Sequence, residues 1–157
     1  MEEAGYIEKP QNIIIETDVE RKLSLNDLRK ECLRYVREHF QGKAFTNKST
    51  GREIKVSREG IGEWKMKSKT REQIVSIKIL DQLLENSTFD HDFPDEKGRQ
   101  NIENFSYFTS RCMVNETPYM AIITVKTTKP YGDKYYHHYL DDIKIEPRSG
   151  AAPTLAG

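Results

Sequence analysis

The chain has 157 residues and 18.3 kDa, the size of one compact domain. Its 25 Lys and Arg balance 25 Asp and Glu, which excludes a protein that coats nucleic acid over its whole surface. No apolar run approaches the roughly 20 residues that cross a bilayer, and two cysteines make no disulfide framework, so the expectation is a cytoplasmic protein without a membrane partner.

Charge is nevertheless segregated along the chain. Residues 1–20 carry six acids and one base, residues 41–80 ten bases and four acids, and residues 81–107 seven acids and two bases. The basic middle is either a local anion-binding surface or a solvated helix face neutralised by its acidic neighbours.

In chain order, residues 1–23 form an acidic, loosely held segment around Ile13-Ile14-Ile15. A single domain is expected over 24–146, followed by a disordered, Gly/Ala/Pro-rich tail over 147–157. Ser24 with Asp27 predicts a helix start, and Leu25, Leu28, Cys32, Tyr35, Val36 and Phe40 recur at helical spacing up to Gly42. Cys32 sits on that stripe and reads as a core residue. Residues 43–57 predict a β-hairpin around Asn47–Gly51. Gly60 and Gly62 predict a short loop over 58–68, and Ile74, Ile77, Leu80, Leu83 and Leu84 a second helix over 70–86. Residues 87–101 read as an exposed acidic connection. A three-strand meander follows, turning at Asn115-Glu116 and at 129–133. The predicted fold class is α+β, with N-terminal helices packed on an antiparallel meander.

No strong catalytic signature is present. His91 between Asp90 and Asp92 reads as solvated decoration, so neither metal nor cofactor is expected. The last strand, Tyr135-Tyr136-His137-His138-Tyr139, is the chemically richest segment. Strict alternation puts Tyr136, His138 and Leu140 on one face and Tyr135, His137 and Tyr139 on the other. Such a strand either offers a general acid or base near neutral pH, or uses its rings as core and its hydroxyls at the rim. Lys126 and Arg111, on the preceding strands, are cations that could meet an anionic substrate.

The pattern through 42–51, Ile54–Ile61, Leu83–Ser87, Tyr107-Phe108, Pro118-Tyr119 and Tyr135–Leu140 resembles the small phage- and mobile-element-associated domains of the barnase, EndoU, colicin and RelE-like nuclease superfamily. The likeness covers about residues 26–146. It implies helices against a meander and metal-independent RNA cleavage of a toxin-like kind. His138 and Tyr136 would be the catalytic pair of the last strand, and Arg58 would lie in the Ser-Arg-x-Gly-Ile segment. Glu63-Trp64 stands where related domains often place a histidine, so either Glu63 takes the base's role or catalysis has been lost. On the first reading Arg58, Lys126 and Arg111 act on the phosphate, Lys65 and Lys67 guide the strand, and Trp64 stacks a base or anchors the core. RNA, an immunity protein or a phage protein are the partners implied. The alternative function is a catalytically inactive accessory or binding domain of a phage polyvalent protein.

Overall fold

The computed structural model describes residues 12–129 and 131–143. A short strand, β1 (Ile13–Ile14), and a single-turn helix, α1 (Asp18–Arg21), lead into α2 (Leu25–His39). Ser24 caps α2 by accepting from the Asp27 amide at 3.1 Å, and Leu28, Cys32, Leu33 and Val36 form its buried stripe. Gly42, at φ +85°, turns the chain into the hairpin β2 (Ala44–Thr46) and β3 (Glu53–Lys55). Asn47 is more than a turn residue. Fully buried, its amide donates at 2.8 Å to both the Leu84 and Ser87 carbonyls, while its Oδ1 accepts from the Thr50 amide.

Residues 58–67 are not a loop but a helix, α3 (Arg58–Lys67). Ser57 caps it through the Gly60 amide, and its buried stripe is Gly60, Ile61 and Trp64. The glycines that suggested a break serve different ends. Gly60 lets α3 press onto the last strand, and Gly62 faces open space. The expected second helix is three pieces: α4 (Arg71–Val75), a 3₁₀ turn (Ser76–Ile79) and α5 (Leu80–Asn86). The tightening falls where the Ser76 hydroxyl donates back to the Gln73 carbonyl at 2.7 Å.

Strands β4 (Thr88–Phe93), β5 (Ile102–Val114), β6 (Thr117–Thr128) and β7 (Gly132–Asp142) complete a mixed seven-stranded sheet. Its order is β1-β5-β6-β7-β3-β2, with β4 beside β1 on the outer edge of β5. The meander β5–β6–β7 is antiparallel, with Asn115 and Glu116 at positive φ in a two-residue turn. The parallel pairs β1–β5 and β3–β7 were not expected. The fold is α+β. Phe108, Cys112, Ala121, Ile123, Val125 and Tyr135 supply the sheet's half of a core closed by α2, α3, α4 and α5.

Residues 88–93 also differ from expectation, being strand rather than connection. The expected looseness of 1–23 does not hold for its described part. Asn12 donates to Ser110 Oγ at 2.7 Å, Glu16 pairs with Arg71 at 2.7 Å, and Glu20 pairs with Lys78 at 2.6 Å. Residues 1–11 and the predicted tail lie outside the described residues.

Two register shifts decide which side chains face which way. In β7 the pairing moves from Thr124↔His137 to Val125↔Tyr135, leaving Tyr136 as the extra residue. In β4 it moves from Phe89↔Phe108 to His91↔Tyr107, leaving Asp90. The first bulge puts Tyr135 and His138 together on the helix side and sends Tyr136 and His137 to the open side. The second sets Phe89, still exposed, edge-on to Phe108 on the helix side and turns His91 and Phe93 onto the open side.

Candidate functional site

His138 does not reach a solvent-facing hollow. It is fully buried, and both ring nitrogens are engaged, Nδ1 with the Tyr135 hydroxyl at 2.8 Å and Nε2 with Ser76 Oγ at 2.7 Å. The Ser76 hydroxyl donates to the Gln73 carbonyl, so it accepts from Nε2–H, and Tyr135 then donates to Nδ1. The ring is a neutral tautomer locked at both ends, and burial pushes its pKa down to about 3. The predicted pairing of His138 with Tyr136 on one face fails because the β7 bulge reverses the alternation. Trp64 is likewise fully buried, which leaves it as a core anchor rather than a stacking platform.

Tyr136 takes the open side. Lys67 Nζ and Lys126 Nζ each lie 5.3 Å from its ring centroid, within cation–π range. Its phenol pKa is raised, by burial first and by the Glu63 carboxylate second. Glu63 pairs with Lys67 at 3.6 Å along α3. Three of the predicted site residues, Glu63, Lys67 and Lys126, thus converge on a fourth, Tyr136.

The others lie elsewhere. Arg58 is at the far end of α3, roughly 14 Å from Lys67 at the helical rise, and lines a cavity of about 400 Å³ with Arg37 and Gln41. Lys65, two residues from Lys67, falls on the opposite flank of the helix. Arg111 is exposed and has the same strand parity as Phe105, but lies six residues, roughly 20 Å, along β5.

Around Tyr136 the structure adds groups not predicted for the site. Phe105 approaches it at 5.5 Å between centroids, Phe93 stacks on Phe105 at 5.4 Å, and Phe93 meets Tyr107 at 4.4 Å. His91 lies against Tyr107 at 5.0 Å, and His137 lies 5.1 Å from Tyr136. Arg99 stands 5.9 Å from the Phe105 ring, held by Asp95, whose carboxyl that guanidinium keeps well below the usual range. His137 is driven down to about 4, by burial first and by Lys67 second, and is neutral at pH 7. The alternation Phe89-His91-Phe93 was a visible signal for part of this row. It was masked by the aspartates between, and the bulge at Asp90 sets Phe89 on the helix side while His91 and Phe93 keep the open face.

The result is a row of aromatic rings across β4, β5 and β7 with three cations at its margins. Chemically it can stack flat π-systems and neutralise phosphates. Among the described residues no group of three or more His, Cys, Asp or Glu is gathered to hold a metal ion, and no helix is long and apolar enough to cross a membrane. Cys32 and Cys112 are buried, and burial pushes their thiols up to about 12 and about 11, which leaves them unreactive.

A two-layer α+β unit with helices on one side and, on the other, an aromatic sheet face that no described helix covers is thus the class of domain. The chain belongs to the family large polyvalent protein-associated domain 3, matched over residues 24–145. No curated protein and no solved structure matches it.

Proposed function

We propose that this domain is an accessory module of a phage polyvalent protein that contacts single-stranded RNA through the open face of its sheet. One observation supports this above all. Phe93, Phe105, Tyr107 and Tyr136 form a continuous aromatic row, and Lys67, Lys126 and Arg99, drawn from three separate segments, flank it. Base–aromatic stacking with backbone neutralisation is the usual physics of single-strand capture. The test is fluorescence anisotropy with labelled RNA oligonucleotides across a salt series. Tyr136→Ala should weaken binding by about 1–3 kcal/mol, and Lys126→Ala should lower the salt slope by about 1. Unchanged affinity in both variants, or no binding at all, refutes the proposal.

A cleavage reading rests on a separate observation, the Glu63 carboxylate beside the Tyr136 phenol among cations. In that reading Glu63 takes the proton of a ribose 2′-hydroxyl as its oxygen attacks the adjacent phosphorus. Tyr136 gives its proton to the departing 5′-oxygen, and Lys126 stabilises the charge on the phosphorane. His138, enclosed as it is, takes no part. RNA incubated with the protein and a chelator separates the two readings. Fragments lost on Glu63→Gln with binding retained would establish cleavage, and intact RNA leaves the accessory role.

A further inference from the structure

Within the aromatic face one fully buried polar atom has no partner among the described residues. Thr124 is 3% exposed, and its hydroxyl is buried without a hydrogen bond. Its chain neighbours Ile123 and Val125 belong to the helix-side core, so Thr124 stands on the opposite, open side. Register sets it directly between Tyr107 of β5 and His137 of β7. His137 is half-buried, and no hydrogen bond contributes to the depression of its pKa, which comes from burial and Lys67. Two adjacent polar side chains in the floor of the face are thus left without partners among the described residues.

An orphaned buried hydroxyl is unfavourable and uncommon in folded proteins, and it points to a group that completes it. The chemistry of the pair narrows that group. A threonine hydroxyl donates once and accepts, and a neutral imidazole donates once and accepts once. A phosphate offers acceptors alone and belongs with the cations at the margin. A nucleobase edge carries donors and acceptors side by side and arrives attached to a ring that can stack on Tyr136 or Tyr107.

We propose that Thr124 and His137 form a base-reading subsite in the floor of the sheet, which takes the hydrogen-bonding edge of one unstacked nucleobase. The inference rests on the RNA-contact reading and adds to it a source of sequence preference. Lys67, Lys126 and Arg99 hold the backbone of any sequence, while Thr124 and His137 discriminate among bases.

The experiment measures the affinity of the full chain for four homopolymeric RNA oligonucleotides, with Thr124→Val and His137→Gln as variants. The unmodified protein should favour one base by about fivefold or more, the scale of a single hydrogen bond. Thr124→Val keeps the shape, removes the orphaned hydroxyl, and should melt no lower than the parent while the preference collapses to within about twofold. His137→Gln, which retains a donor and an acceptor in new positions, should reorder the preference. Equal affinity for all four oligonucleotides in the parent, or an unchanged ranking in both variants, overturns the subsite and leaves the RNA-contact reading intact. Absence of binding to all four overturns both.

Discussion

Gly60 is the point where helix and sheet come closest, and it makes the packing testable. A Cβ built there would lie 2.1 Å from the Tyr135 carbonyl oxygen, 3.1 Å from its carbon and 3.2 Å from the ring Cδ2. The obstacle is backbone in the interior of β7, which cannot swing aside as a side-chain tip would. In Gly60→Ala, α3 must therefore retreat by about 1 Å, and gaps of that size forfeit a quarter to a half of the dispersion well for the atoms concerned. Those atoms belong to Ile61 and Trp64, 2% and 0% exposed. Overpacking of this kind costs about 3 kcal/mol, and the better helix propensity of alanine returns about 1, for a net loss of about 2 kcal/mol. In a domain of this size that lowers the melting temperature by roughly 6–10 °C. Gly62→Ala is the control. Nothing lies within 4 Å of its Cβ and its φ is negative, so the same substitution two residues on should stabilise by up to about 1 kcal/mol. Urea and thermal unfolding of both variants read the difference. Equal midpoints for the two, or a gain in Gly60→Ala, would mean that α3 does not press on β7 and that Glu63 and Lys67 are not held against Tyr136.

Arg52 bridges the hairpin to the sheet, donating to Asp133 at 2.8 and 3.0 Å and to Ser106 Oγ at 3.1 Å. With side chains 26% and 16% exposed, breaking that pair by Arg52→Ala should cost about 2–3 kcal/mol in urea unfolding, below the figure for full burial. Stability should also fall with acid: His138 and His137 have folded-state pKa values lowered to about 3 and about 4, so below pH 6.5 the unfolded chain binds protons that the folded chain does not. From pH 7 to 4.5 His138 alone should remove about 2–3 kcal/mol, and a urea midpoint flat over that range would refute the locked neutral tautomer.

Much of the architecture was legible because long amphipathic patterns dominate it. The α2 stripe, the hairpin and the β5–β6–β7 meander follow from periodicity that burial then enforces. The misplacements have local causes. Two glycines disguised α3, although Ser57 three residues before Gly60 is a cap whose partner is a backbone amide and so leaves little trace in composition. Alternating aspartates disguised β4, an edge strand that keeps charge on its exposed positions. The site misreading has one source. A bulge inserts a single residue and reverses every assignment beyond it, so His138 turns into the core and its neighbour His137 takes the open face. Nothing in Tyr-Tyr-His-His-Tyr marks which residue bulges.

The basic middle of the chain shows why linear charge is a poor guide to a site. Of its ten cations, Arg52, Lys67, Arg71 and Lys78 are paired with Asp133, Glu63, Glu16 and Glu20. Glu16 and Glu20 come from the acidic N-terminal stretch, so segregation in sequence becomes neutralisation in space for Arg71 and Lys78. Arg58 and Lys65 sit on the far flank of α3. Of the cations that surround the aromatic row, only Lys67 at the end of α3 comes from the basic middle; Arg99 comes from the otherwise acidic 81–107 stretch and Lys126 from the middle of the meander. Lys126 has no carboxylate within 4 Å among the described residues, whereas Lys67 and Arg99 each carry one, Glu63 and Asp95. An incoming phosphate therefore meets its least compensated charge at Lys126. Loss of that one lysine should outweigh loss of the basic residues that dominate the segment count.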